Sequence, residues 1–147
     1  MVKAHIKKVI CYITRGDKLL VFRHVDYSYE QVGIQVPAGT VRDGEDSQQA
    51  ALREAIEETG LKEFSSIRFL GALDYDMTPH RFEIHERSFF HLTFDDDTPE
   101  RWASREDHDG LDPPTRFECF WIDLSYGHIL QSGQGAFLYA LFEDGGV

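Results

Sequence analysis

Three glutamates, Glu54, Glu57 and Glu58, stand in a stretch whose apolar spacing predicts a helix over 48–59. On a wheel of about 100° per residue, with Glu54 at zero, Glu57 falls near 300° and Glu58 near 40°. Their carboxylates therefore share about 100° of arc, while Leu52, Ala55 and Ile56 lie on the opposite side. Like charges three and four residues apart repel, by a few tenths of a kcal/mol per pair. A helix that needs only solubility mixes its signs; here the acids converge, which is the arrangement that a bound cation repays. An all-oxygen donor set suits Mg²⁺, Mn²⁺ or Ca²⁺ rather than zinc. Taken alone, such a triplet is more often a solvated acidic face. Its neighbours reverse that judgement.

From Gly39 the chain runs Gly-x5-Glu-x7-Arg-Glu-apolar-x-Glu-Glu-x-Gly-apolar, through Glu45, Arg53, Glu54, Ala55, Glu57, Glu58, Gly60 and Leu61. This pattern resembles the Nudix box with every fixed position filled. The preceding Pro37-Ala38-Gly39-Thr40 is similar to the Pro-Gly-Gly approach common in that family, with Ala38 in place of one glycine. The resemblance implies an α/β/α sandwich around a central mixed sheet. It also implies divalent-metal-dependent hydrolysis, with Mg²⁺ or Mn²⁺, of a phosphoanhydride bond in a nucleoside diphosphate derivative. Such an anhydride repels nucleophiles by its own charge, and divalent cations offset that charge.

The same resemblance assigns metal binding to Glu54, Glu57 and Glu58 and to the backbone near Gly39, where the missing Cβ allows close approach. Glu45 and Arg53 match the structural brace, and Arg53, one turn before Glu57, can also hold that carboxylate. The general base is read first at Glu54 and second at Glu118, beside Trp121 on the last expected strand. Glu100, Glu106, Asp109 and Asp112 fall in a long polar loop that could supply a carboxylate on closure, although each by itself reads better as a solvated surface acid. Arg23, Arg81, Arg87 and Tyr75 are candidate substrate contacts, since a guanidinium suits a phosphate. Tyr27, Tyr29 and Trp121 are candidate stacking partners for a base, Trp121 being the better core residue. The seven histidines show no zinc spacing and read as surface or loop positions, with His85 a weaker substrate candidate.

Two rival functions belong to the same fold. One is a nucleotide-binding module without catalysis, which normally shows an eroded box. The other is a prenyl-diphosphate isomerase-like enzyme, which needs a catalytic cysteine and glutamate that Cys119-Phe120-Trp121 does not obviously provide. The intact box favours the hydrolase.

The elements that must position these residues follow from the rest of the chain. Its 147 residues suit a single domain, with 41% hydrophobic and 28% charged residues. A net charge of −11 argues against a nucleic-acid backbone as partner, and the nucleotide-type small molecule that the resemblance implies would be approached through bound cations. No apolar run of 18 residues predicts a membrane span. Cys11 and Cys119 read as two buried free thiols, consistent with a cytoplasmic setting. The family resemblance also allows a homodimer.

Val9–Ile13 and Lys18–Phe22 predict a hairpin around Arg15-Gly16-Asp17. Asp46 and Gln49 form a capping box for the helix, and Gly60 sits at its left-handed end. Further strands are expected at Ser66–Tyr75, Arg87–Phe94 and Phe117–Leu124. Residues 95–115 read as one surface excursion with a helical turn near Pro99–Arg105, and Tyr126–Phe142 as a closing helix weakened by Gly133 and Gly135.

Overall fold

The computed structural model describes residues 1–28, 30–130 and 133–143. The expected hairpin is present. Strand β1 (Ala4–Arg15) turns at Gly16, whose φ of +59° favours glycine, into β2 (Lys18–His24). The two strands pair only at the turn, as Thr14 with Leu19 and Arg15 with Lys18. Beyond it they part, and the chain from Gln35 to Thr40 enters the gap. Phe22 and Gln35 exchange backbone hydrogen bonds of 2.9 and 3.0 Å, and the Cys11 N–H donates to the Pro37 carbonyl at 2.8 Å. Strand β3 (Ala38–Thr40) then pairs antiparallel with Lys8–Ile10 of β1. Pro37 lacks an N–H, so the chain meets β1 through its carbonyl. This wedge carries Gly39 into the middle of the sheet edge.

Helix α1 (Ser47–Thr59) starts where the capping box places it. The Asp46 carboxylate accepts from the Gln49 N–H at 2.8 Å, and the Gln49 amide oxygen accepts from the Asp46 N–H at 2.9 Å. It stops at Gly60, whose φ is +78° and whose N–H donates to the Ile56 carbonyl. Strands β4 (Ser66–Asp76) and β5 (Glu83–Thr93) form an antiparallel pair, and β5 runs parallel to β1. Strand β7 (Thr115–Asp123) pairs with β2.

Two expectations are corrected. Pro99–Arg105 does not form a helical turn; Arg101–Glu106 is an edge strand, β6, paired antiparallel with β7. Period-two alternation decides it: Arg101, Ala103 and Arg105 are exposed, while Trp102, Ser104 and Glu106 turn inward. Charged outward residues are what an unpaired sheet edge tolerates. The closing helix is also shorter than expected, with α2 covering only Tyr139–Glu143. Before it come a 3₁₀ turn at Leu124–Ile129 and a left-handed Gly133 at φ +74°, where the chain doubles back so that Leu138 packs over Gly127. Residues 131 and 132 of that expected helix lie outside the described residues.

The mixed sheet has the order β4-β5-β1-β2-β7-β6, with β3 attached to β1. One core, including Val9, Cys11, Phe22, Phe90 and Cys119, lies beneath α1. The other, including Ile10, Tyr12, Phe89, Phe120 and Leu141, lies on the opposite face with α2. Cys11 and Cys119 are buried free thiols, as expected. Two histidines are not: His85 and His91 are buried rather than on the surface. Among the described residues no helix is long and apolar enough to cross a membrane.

Candidate metal centre and adjoining cavities

The acidic side of α1 is not turned to open water. Glu54 and Glu58 are each only 6% exposed, packed between α1, β3 and the end of β6, while Glu57 stays half-open at the rim. The Ala38 N–H donates to Glu58 Oε1 at 2.8 Å, and Arg53 Nη1 donates to Glu54 Oε1 at 2.7 Å. Glu54 Oε2 is buried with no hydrogen-bond partner among the described residues. The third carboxylate of the cluster comes from β6. Donor oxygens of Glu54, Glu58 and Glu106 all lie within 4.8 Å of one another. Unit charges at that spacing repel by about 3 kcal/mol per pair at an effective dielectric constant of about 20. The titration follows: burial, with Glu106 and Glu57 adding and Arg53 opposing, pushes the Glu54 carboxyl up to about 7. Burial, then Glu54 and Glu106, raises Glu58 well above the ordinary carboxylate range. A divalent cation removes this repulsion and meets the unpartnered oxygen, so the residues fit a hard, oxygen-bound metal.

The surroundings hold these oxygens in place. Arg53 donates from Nε and Nη2 to both oxygens of Glu45, at 2.8 and 2.9 Å, and from Nη2 to the Thr40 carbonyl at 3.0 Å. Its Nη1 reaches Glu57 Oε2 at 3.4 Å as well as Glu54. Arg53 thus ties the loop before α1 to β3 and to two of the helix acids, and its guanidinium holds the Glu45 carboxyl down at about 2. Gly39 has a steric reason: a Cβ there would sit 2.1 Å from Glu54 Cδ. Strand β6 is locked to the end of α1 by Trp102, whose Nε1 donates to the Thr59 carbonyl at 2.7 Å, and by Ser104, whose hydroxyl donates to the Glu58 carbonyl. The His108 ring spans Thr115 Oγ1 at 2.7 Å and Glu106 Oε1 at 3.0 Å.

A cavity of ≈ 830 Å³ opens over the cluster, with Glu54, Glu57 and Glu106 on its wall and Lys8, Arg42 and Arg105 around them. A second cavity of ≈ 290 Å³ adjoins it, sharing Lys8, Gly39 and Glu106, and runs on to His85 and Arg87. Four carboxylates with Lys8 beside them can hold a metal and an oxyanion together, while Arg42 and Arg105 on the rim pair with Asp109 and Asp107 at 2.9 and 2.8 Å.

The family model for the NUDIX domain matches residues 4–126. The chain belongs to the Nudix family. The MutT protein of Methanosarcina mazei Go1 is similar in structure, with a TM-score of 0.67 at 18% identity, over 99% of this chain and 98% of that one. So is the E. coli dihydroneopterin triphosphate pyrophosphohydrolase, at 0.66 and 16%, over 95% and 99%. A binary complex of the C. elegans Ap4A hydrolase gives 0.66 and 18%, over 95% and 98%. At these identities the likeness establishes the shared Nudix fold.

The Nudix box residues Gly39, Glu45, Arg53, Glu54, Glu57 and Glu58 are brought together around the cluster. Glu118 and Arg23 are not. Their neighbours Phe117, Cys119 and Phe22 point to the α1 face, so alternation sends both to the opposite face. There Arg23 Nε donates to Glu118 Oε1 at 2.9 Å, and Arg101 joins at 3.2 Å. Neither residue lines either cavity. Arg81 is exposed, 3.8 Å from Glu83. Arg87 does line the second cavity, and Tyr75 lies beneath its guanidinium at 4.0 Å. Tyr27 is exposed, Trp121 packs under Arg15, and Tyr29 lies outside the described residues.

Glu106 is the residue that sequence reasoning ranked low, as one of four loop acids that could supply a carboxylate but read better as solvated. The signal for it was the alternation Trp102, Ser104, Glu106, which marks an inward row on a strand. Of the other loop acids, Asp109 pairs with Arg42 at 2.9 Å, while Glu100 and Asp112 are exposed and line neither cavity.

Proposed function

We propose that this chain is a divalent-metal-dependent hydrolase, with Mg²⁺ or Mn²⁺, that cuts a phosphoanhydride bond in a nucleoside diphosphate derivative. The observation that carries the reading is the meeting of Glu54, Glu58 and Glu106 oxygens within 4.8 Å, with Glu54 and Glu106 on the wall of the larger cavity and one Glu54 oxygen without a partner among the described residues. Glu54, Glu58 and Glu106 would hold the cation. When bound, it neutralises the anhydride and makes water a stronger nucleophile. Arg53 keeps Glu54 and Glu57 oriented, and Lys8 and Arg42 face the phosphate oxygens across the cavity. With Glu54 committed to the cation, the proton of the attacking water passes to Glu57, the acid left over at the rim. The intact acidic set favours this over a non-catalytic binding module. Two of the similar structures are named for hydrolysis of a triphosphate and of Ap4A, which is in keeping with a nucleotide-type substrate.

The test is phosphate release from a panel of nucleotide derivatives with Mg²⁺ or Mn²⁺, set beside calorimetric Mn²⁺ binding. Glu54→Gln, Glu58→Gln and Glu106→Gln should weaken Mn²⁺ binding and turnover together. Glu57→Gln should cut kcat by about 10²-fold or more while binding Mn²⁺ within threefold of wild type. Glu118→Gln should turn over as wild type does. Metal binding without turnover on any substrate would sink the hydrolase reading in favour of a binding module. Undiminished Mn²⁺ affinity in all three ligand variants would remove the metal assignment.

A further inference from the structure

Two of the three carboxylates that meet at the centre are oriented by groups inside the box: Arg53 holds Glu54, and the Ala38 N–H holds Glu58. Glu106 comes from outside it and stands at a weak place, the last residue of β6, with which the order of the sheet ends. Beyond it the chain leaves the sheet for the mostly exposed stretch 107–114. The ends of such elements open most readily. A metal donor must nevertheless hold its place to about 0.5 Å, so Glu106 needs an anchor of its own. The residue that offers one is His108. Glu106 and Thr115 are direct register partners, the last pair of the β6–β7 ladder. The His108 ring lies between them, with Nδ1 3.0 Å from Glu106 Oε1 and Nε2 2.7 Å from Thr115 Oγ1. An ionised carboxylate only accepts, so Nδ1 donates to it, and in the neutral ring Nε2 is left to accept from the Thr115 hydroxyl. One rigid ring thus ties the two strand ends together. A carboxylate has about four lone-pair sites, so this bond leaves Glu106 free to face a cation.

The backbone is bent to make this bridge. In an extended strand residue 108 would stand about 6.6 Å beyond Glu106. Instead His108, Asp109 and Gly110 have φ of +52°, +56° and +79°, three left-handed residues in a row. Glycine takes this conformation freely; histidine and aspartate do so at a cost and keep it only where contacts over-determine it. Asp109 has its ion pair with Arg42 at 2.9 Å, which reaches across to the box. The bonds inside the turn are local: the Gly110 N–H donates to the Asp107 carbonyl at 2.9 Å and the Leu111 N–H to the His108 carbonyl at 3.0 Å. The His108 ring is what returns the turn to the end of the ladder.

We propose that His108 is a positioning residue of the metal centre, fixing Glu106 as the third oxygen donor without itself touching the cation. Thr115 acts one step further out, by holding the ring. This rests on the reading of Glu54, Glu58 and Glu106 as the metal site. Hydrogen bonds to a metal-binding side chain set its orientation, and losing one weakens metal binding by about 10–100-fold.

The test is calorimetric Mn²⁺ binding to the full chain, with a thermal melt of each variant. His108→Gly removes the ring and suits the left-handed backbone, so Mn²⁺ binding should weaken about tenfold or more while Tm stays within a few degrees. His108→Asn tolerates the same backbone and sets an amide nitrogen where Nδ1 stood, so it should recover to within about threefold of wild type. Thr115→Val frees the far side of the ring and should weaken binding about threefold, and Thr115→Ser should recover most of that loss. In a Glu106→Gln background, His108→Gly should add less than about twofold, because its effect passes through the carboxylate. Wild-type affinity in His108→Gly, or His108→Asn no better than it, would overturn the proposal. So would losses that multiply in the double variant, which would mean that the ring acts on the cation directly or on the fold at large. If His108→Gly does not fold, the contrast between Thr115→Val and Thr115→Ser decides, and equal affinity in the two overturns the bridge. Glu106→Gln at wild-type affinity would remove Glu106 from the metal, and the anchor with it; a weakened Glu106→Gln beside an unaltered His108→Gly removes the anchor alone. No arm needs turnover, so a wild type inert on every substrate would refute the hydrolase reading while the role of His108 is still decided.

Discussion

Gly39→Ala separates the chemistry of the centre from the stability of the fold. The added Cβ would lie 2.1 Å from Glu54 Cδ, 2.3 Å from its Oε1 and 2.6 Å from its Cγ. Ordinary contact starts at 3.4 Å, so the carboxyl carbon must retreat by about 1.3 Å. It cannot do so freely, because Oε1 is held by Arg53 at 2.7 Å and the side chain is 6% exposed. A misplacement of about 1 Å in a reacting constellation can cost on the order of 10²-fold. We therefore expect kcat/KM to fall about 10²-fold and Mn²⁺ affinity to weaken about tenfold. The fold should survive, since Gly39 is not in the left-handed region and overpacking costs about 1–3 kcal/mol, a few degrees in Tm for a chain of this size. Gly60→Ala is the matched control. Its φ is +78° and, among the described residues, no atom lies within 4 Å of an added Cβ, so it should lose about 1–2 kcal/mol of stability to strain and keep full turnover. The assays are thermal melts, calorimetry with Mn²⁺ and steady-state kinetics on one turned-over substrate. A folded Gly39→Ala protein with wild-type Mn²⁺ affinity and turnover would refute the placement of Glu54 at the metal.

Three further outcomes follow from the same geometry. Glu54 is raised from its ordinary 4.5 to about 7, and Glu58 is raised with it, so the stability that comes with their protonation is present below about 4.5 and lost as pH rises through about 7. Without metal, Tm should fall across that interval, and the gain in Tm on adding Mn²⁺ should grow over it; a gain that is flat with pH would contradict the coupling. Glu45 works in the opposite sense: with its carboxyl held at about 2 by Arg53, its contribution is present above about 4.5 and lost as pH falls through about 2, and Glu45→Gln should blunt that acid limb in a pH series of melts. Trp102→Phe deletes the 2.7 Å bond to the Thr59 carbonyl, so it should cost about 1 kcal/mol in a denaturant melt and weaken Mn²⁺ binding by loosening β6 under Glu106. Unaltered Mn²⁺ affinity would show that β6 does not depend on that anchor.

What the sequence determined by itself is local. The box from Gly39 to Leu61, the capping box at Asp46 and Gln49 and the left-handed stop at Gly60 depend on residues within a few turns of one another, so spacing alone exposes them. The hairpin around Gly16 and the buried strands were legible for the same reason, as was the clustering of Glu54, Glu57 and Glu58 on one side of a helix. The tertiary structure decided everything that needed a partner far along the chain. Arg101–Glu106 looked like polar loop because its charged outer row is an edge strand's solvent face; only pairing with β7 reveals the inward row that ends in Glu106. Glu118 seemed well placed beside Trp121, yet strand alternation against Phe117 and Cys119 turns it to the other face. The expected final helix gave way where Gly133 is left-handed and Leu138 packs back over Gly127. The box therefore named the acids of α1, while the third oxygen donor and its anchor at His108 emerged only when β3, β6 and β7 converged on it, because a one-dimensional pattern carries no information about which strands become neighbours.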